Sequence, residues 1–297
     1  MQENQVKPAV RVSIITIIIN AVLTALKLAV GVFAASYALI SDAAHSGSDV
    51  LSTLIVVAGI KSAGKSADKK HSYGHERFEC IAAIVLAAML FATGAAIGYG
   101  AVSNIISGGY KNAAGSFGLI ATVTAAVSIA VKELMYRYTM RTAKKISSGA
   151  LAADAWHHRS DALSSVGSLI AVAGAAIGFP ILDPIAGMVI CAFVIKAAAS
   201  IFWDSVKKMT DEACPDGVEA EMRAIILNRE RRVTIDSLKT RRFGDKFYAD
   251  VEIGIDAYLT FVEAHNIATD IHDDLERAFP SLKHCMVHAN PRDDSAK

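Results

Sequence analysis

The octet D-A-x-H-x-x-S-D occurs twice in the chain, at Asp42–Asp49 and again at Asp154–Asp161. Each copy sits inside an apolar stretch long enough to cross a bilayer as a helix. A His and an Asp four residues apart share one helical face, about one turn apart. The two faces together offer His45, Asp49, His157 and Asp161, a tetrahedral nitrogen–oxygen set for a divalent metal. An ionised side chain at mid-membrane costs at least about 2.5–3.5 kcal/mol, so ionisable groups at this depth call for a function. The expectation is a metal ion that passes through them.

Composition is uneven along the 297 residues. The chain is 53% hydrophobic, yet the long apolar runs all fall within residues 1–206, while 211–297 is rich in Asp, Glu, Lys and Arg. A membrane domain over 1–208 followed by a soluble domain over 209–297 is the expected division. A net charge of +1, with no basic stripe carrying interleaved aromatics, gives no footprint for nucleic acid. Cys80, Cys191, Cys214 and Cys285 form no C-x-x-C pair and no disulfide framework, and read as small buried hydrophobes. At the N-terminus Lys7 and Arg11 lead straight into a full-length span, without the shape of a cleavable signal.

Hydropathy predicts six spans, at about 12–33, 37–60, 80–107, 115–137, 149–178 and 182–206. Lys7, Arg11, Lys61, Lys65, Lys69, Lys70, Arg77, Arg141, Lys144, Lys145, Lys207 and Lys208 fall at one set of ends. Lys111 stands at the other. The positive-inside rule therefore places both termini and the soluble domain in the cytoplasm. The second and fifth spans then run antiparallel, so their His and Asp residues meet at similar depth if the spans pack together. Asp42 falls outward of the quartet and Asp154 inward, lining the approaches or bonding to the ligand histidines and backbone.

Other polar residues in the spans are read more plainly. His158 points about 100° away from His157 and is expected at a helix interface or facing the cytoplasm. Lys132 and Glu133 are expected to neutralise each other locally, and Lys27 to snorkel or face the bundle. Gly94, Gly98, Gly100, Gly167 and Gly174 let helices approach closely.

Between the second and third spans lies H-S-Y-G-H-x-R-x-E, His71 to Glu79, preceded by Asp68. Asp68, His71 and His75 have spacing suited to a second metal site near the membrane surface. With this loop, the paired H-x-x-x-D spans and a small acidic-basic tail, the chain resembles the cation diffusion facilitator family over residues 8–291. The resemblance implies a homodimeric efflux antiporter, exporting a divalent metal as protons enter. It assigns His45, Asp49, His157 and Asp161 to transport, and Asp68, His71 and His75 to the loop site. It also suggests an interlock between Arg77 and Asp211, against the plainer reading of a solvated pair worth under about 1 kcal/mol.

The tail is expected to fold as helix 218–228, strands 234–243 and 247–256 around Gly244-Asp245, helix 260–278 and a strand over 281–289. Phe261, Ala264, Ile267, Ile271 and Leu275 are expected to face inward. This α-β-β-α-β order is a truncated ferredoxin-like module, as the family resemblance implies. The resemblance also marks Asp236, Asp250, His265 and His288 as cytoplasmic ligand candidates, with a weak sensor site of Asp250 and His288 across a dimer as the alternative; His272 and His284 read as surface residues.

The fold class expected is thus a membrane bundle of six transmembrane helices with a cytoplasmic α+β ferredoxin-like domain. The function expected is proton-coupled efflux of a divalent metal across the bacterial inner membrane or plasma membrane. Zinc leads because His and Asp ligands suit its tetrahedral preference; cobalt, cadmium, iron and manganese stay open. No tightly bound cofactor is expected. The partners are the metal ion, protons, the lipid bilayer and a second copy of the chain. Metal loading needs neutral imidazole and ionised carboxylate, so protons and metal compete for the same atoms, and histidine exchanges its proton near pH 6.5 when unperturbed. The rival reading is a metal-sensing scaffold or heterodimer partner that does not transport. An enzyme is not expected, since nothing marks an open coordination position with a base beside it.

Overall fold

The computed structural model describes residues 3–33, 37–108, 119–176, 179, 181–229, 233–244 and 246–292; within these, the side chains of 3–5, 30–31, 33, 37–48, 51, 119–122, 124–125, 168–176 and 183 lie outside the description. The chain divides into two compact units, Met1–Val206 and Lys207–Lys297.

The first unit is helical. It comprises α1 (Glu3–Phe33), α2 (Tyr37–Ala63), α3 (Arg77–Ser107), α4 (Leu119–Ile146), α5 (Gly149–Ala176) and most of α6 (Leu182–Met209). The helix α4 runs two turns beyond the expected end at 137, because Arg137, Arg141, Lys144 and Lys145 continue the helical pattern with charge. Burial in this unit is inverted relative to a water-soluble protein. On α1, Ser13, Thr16, Asn20 and Lys27 are buried, whereas Ile18 and Val22 are 56% and 61% exposed. An apolar exterior around a polar interior is what a bilayer selects, since the bundle interior is the place where polar side chains find partners. Among the described residues, Val6–Ala29, Arg77–Ser107 and Pro184–Met209 are long and apolar enough to cross a membrane. The helices α2, α4 and α5 carry charged residues among their apolar ones.

Small side chains set the packing distances. One core gathers Ala9, Val56, Ile60, Ala82, Ala83, Leu86, Ala143, Ala150, Leu151 and Ala153 from the first five helices. Another joins Leu90 of α3 to Ile190, Val194, Ala197 and Ala198 of α6. An added Cβ at Gly94 would come 3.0 Å from Val194 Cγ1, so a larger residue there would make the α6 side chains shift.

The second unit holds α7 (Asp216–Arg229), β1 (Thr234–Phe243), β2 (Lys246–Asp256), α8 (Phe261–Ala278) and β3 (Leu282–Arg292). The sheet has the order β1-β2-β3, with β1 antiparallel and β3 parallel to β2. Gly244, at φ 66°, supplies the left-handed residue that the β1–β2 hairpin needs. The α8 apolar face buries Ile271 and Leu275 on Val251, Ile253 and Cys285, joined by Met222 and Ile226 of α7. Burial pushes the Cys285 thiol up to about 12, so this cysteine serves as a packed hydrophobe.

The sequence placed Phe261 inward, but it is 83% exposed. It opens the first turn of α8, beyond the sheet, and its ring stacks on that of His265. Thr260 caps this helix by accepting from the Glu263 backbone N–H, while the Glu263 carboxylate accepts from the Thr260 N–H. Leu275→Ala should cost about 2–5 kcal/mol through the cavity it leaves, and Thr260→Ala about 1 kcal/mol through the lost cap. Hydrogen exchange on the full chain should show the first as lost protection throughout α8 and the second as loss confined to its first turn.

Candidate metal centre

The interior of the helical unit concentrates its charge where α2, α4 and α5 meet. The α5 helix packs against both α2 and α4. Asp49 projects from α2, and His157 and Asp161 project from α5 one turn apart, as their four-residue spacing dictates. All three are more than nine-tenths buried. His157 Nε2 lies 3.1 Å from Asp49 Oδ1. One ligand atom from each of Asp49, His157 and Asp161 falls within 4.8 Å of the others, a spacing a single metal ion can bridge. His45 lies one turn before Asp49 on α2, but its side chain, like that of Asp42, falls outside the described residues.

Lys132 of α4 enters this cluster. Its Nζ donates to Asp161 Oδ2 at 2.8 Å and also to Asp49 Oδ2. The expected local pairing with Glu133 is therefore corrected: Glu133 accepts from Arg137 at 2.8 Å on the exposed side of α4. Neighbours in sequence on a helix point about 100° apart, so the two cannot serve one partner. The available signal is a lysine that directly follows the apolar run 119–131 of α4.

Asp154 does not line an open approach. It is fully buried and accepts from Thr53 Oγ1 at 3.0 Å, with His158 Nε2 3.6 Å from its other oxygen. Thr53 and Ser52 also donate to the Asp49 backbone carbonyl, at 3.2 Å and 2.8 Å. The turn of α2 that follows the first repeat is thus joined to the start of the second through Thr53 and Asp154. His158 is fully buried, in keeping with a helix interface and not with a cytoplasmic face.

In the loop after α2, Asp68 and His71 belong to one turn. Asp68 Oδ1 accepts from the backbone N–H of His71 at 2.7 Å and of Lys70 at 2.8 Å. These bonds, the His71 one first, hold its carboxyl below its ordinary value. The ionised turn is therefore fully favoured above the ordinary carboxylate pKa and lost only as pH falls through the lowered one. His71 Nδ1 lies 3.4 Å and His75 Nε2 3.3 Å from the Asp68 oxygens, and Gly74 at φ 98° brings the chain round between them. The three form the second group of potential ligands within 4.8 Å.

The tail residues are more dispersed. Asp236 accepts from Asn290 Nδ2 at 3.1 Å and from Thr234. Asp250 and His288 are exposed on adjacent strands, Asp250 facing Met286 and His288 facing Glu252. His265 is exposed on α8. Among the described residues, these four form no group of ligand atoms within 4.8 Å. His272, expected at the surface, is instead half-buried, its Nδ1 donating to the Cys285 carbonyl at 2.7 Å and linking α8 to β3.

Comparison with known proteins agrees with this arrangement of units. Residues 13–210 match the family model described as cation efflux transmembrane domain, and residues 214–292 match the cation efflux protein cytoplasmic domain. The chain is 32% identical over 280 residues to metal tolerance protein C1 of Arabidopsis thaliana, covering 91% of this chain and 59% of that relative. It is 33% identical over 277 residues to an uncharacterized transporter of Methanocaldococcus jannaschii, covering 93% and 96%. It is 27% identical over 288 residues to the manganese efflux system protein MneP of Bacillus subtilis, covering 95% of each.

The loop geometry makes a prediction. Asp68→Asn retains an oxygen for the turn but loses the charge, so zinc binding by the loop should weaken about tenfold, roughly 1.4 kcal/mol, with the turn intact. His75→Ala should abolish it. Zinc titration of the full chain carrying Asp161→Ala, with only the loop site left to report, checks both.

Proposed function

The chain belongs to the cation diffusion facilitator family of cation efflux transporters, not enzymes, and we propose that it exports zinc from the cytoplasm in exchange for protons. The observation that carries this reading is the buried cluster of Asp49, His157 and Asp161, whose ligand atoms lie within bridging distance in a polar bundle interior. His45, one turn from Asp49, completes a His2Asp2 set that suits tetrahedral zinc. Manganese, the metal in the name of the Bacillus subtilis relative, is the first alternative cargo. It prefers oxygen ligands, which two histidines disfavour.

All six long helices cross the membrane in this reading, over a domain spanning 1–208, with 209–297 as a cytoplasmic ferredoxin-like domain and both termini inside. The charge distribution of the loops supports that orientation. The charged and polar residues that α2, α4 and α5 carry include those that serve the site or its supports. The protein works as a homodimer, in line with the cytoplasmic-domain match. Asp68, His71 and His75 act as a cytoplasmic loop site. Asp250, His265 and His288, with Asp236 at the sheet edge, are candidates for a site completed by the second subunit.

The mechanism follows from competition for the same atoms. A metal binds ionised carboxylates and neutral imidazole, so its loading releases protons and reprotonation from the other side releases it. One site reached alternately from each face suffices, given two packings of the helices.

Zinc flux into proteoliposomes under an imposed pH gradient tests this. Flux that follows the gradient and falls by about two orders of magnitude or more in Asp49→Ala, as loss of a ligand implies, is the expected result. Absence of flux for every divalent metal, from protein that still binds zinc, would replace the transporter with a metal-sensing scaffold.

A further inference from the structure

We propose that Lys132 is a tethered cation that occupies the cargo position when the cargo is absent, and that a metal ion enters by displacing its ammonium. The inference rests on the reading that Asp49 and Asp161 hold the cargo. It goes beyond that reading in naming a residue of α4, outside both repeats, as the competitor that sets which ions enter.

The geometry points to this role. Lys132 Nζ donates to one oxygen of each carboxylate, and these are two of the groups that bring a metal within reach. The lysine is 3% exposed and Asp49 1% exposed, so neither charge has water to fall back on. Two carboxylates facing each other in such a setting repel strongly unless a cation lies between them. The same reasoning explains why Lys132 tolerates burial. A metal ion would meet these oxygens from where the ammonium now sits, since three N–H bonds and a coordination sphere draw on the same lone pairs.

With the imidazole neutral, a divalent ion alone balances the two carboxylates, the ammonium alone leaves one negative charge, and both together leave one positive charge. Held on the same oxygens, ammonium and metal also repel each other at contact distance in a dry site, so the two cations exclude one another. A lysine is suited to this because its charge is a compact point on a flexible four-carbon stem, free to swing without moving a helix. The α1 helix, which packs on α4, carries the buried amide of Asn20, without a hydrogen-bond partner among the described residues. Selectivity follows from the exchange. A monovalent cation replaces one charge with an equal one and gains nothing over two made hydrogen bonds. A divalent cation with an imidazole ligand beside it gains both charge and a nitrogen donor.

A merely structural lysine, bonding α4 to its neighbours, predicts that its removal loosens the site and weakens metal binding. The tethered cation predicts the opposite sign. Zinc affinity is measured on the detergent-solubilised full chain, with each variant confirmed monodisperse and helical. In a His75→Ala background, Lys132→Gln should bind zinc about tenfold more tightly than the lysine-bearing protein. Lys132→Met, which keeps the stem and removes the charge, should do the same. Lys132→Arg keeps a cation that grips both carboxylates and should bind zinc with equal or lower affinity. Should the neutral variants not fold, the arginine variant decides, because tighter zinc binding there contradicts competition. Equal or weaker zinc binding in Lys132→Gln or Lys132→Met overturns the proposal. Asp161→Ala separates this from the parent reading: if it leaves zinc binding intact, the site assignment fails, whatever the lysine variants do.

Discussion

Charge in the interior of the helical unit is arranged in a chain of mutual dependence. Lys132 is held by Asp49 and Asp161, Asp49 is held in turn by His157, and Asp154 a turn away is held by Thr53. In water each of these contacts is worth little. In a low-dielectric bundle, loss of one partner strands the other, at a cost of several kcal/mol. That asymmetry fixes much of the architecture: α2, α4 and α5 must meet at one depth, and the apolar helices α1, α3 and α6 pack around them. It also makes the centre responsive, because any ion that takes over one contact rearranges the rest.

Much of this was legible in the sequence, and the reasons are specific. The two octets announced themselves by repetition, and helical periodicity put Asp49, His157 and Asp161 on facing sides. The tail was legible because alternation in 234–243 and 247–256, a glycine turn between them and the apolar spacing of 260–278 are local signals. What escaped was whatever depends on a third element. Lys132 was paired with its sequence neighbour, because a partner on another helix leaves no mark in the local pattern. Asp154 has partners that neither of its two readings named, the Thr53 hydroxyl and His158. Phe261 satisfied the helical face but lay one turn past the sheet that would have covered it. The tail ligands remain scattered within one chain because strand register, which sequence does not give, separates Asp250 from His288 by two positions.

The loop after α2 works by a different principle from the interior. Its carboxylate is exposed and stabilised by backbone donors, not by burial, so its charge is held locally and stays available to solvent. Asp68 and His71 of this group are exposed, while His75 is buried behind them, so the preformed turn is wet on one side only. The buried cluster is the converse, dry and tightly paired, and any ion bound there must replace existing bonds.

The helical hairpin of α4 and α5 has a consequence for how the protein is made. Alone, each of these segments carries a charge that a translocating chain would insert poorly. Joined by the short connection around Ser147 and Ser148, they bring Lys132 against Asp161 before the rest of the bundle exists. Two helices that neutralise each other can leave the aqueous channel together at a lower cost than either would incur singly. Biogenesis would then proceed by pairs, with a polar hairpin admitted between strongly apolar helices, and the last step would be the arrival of Asp49 to complete the ring of charge.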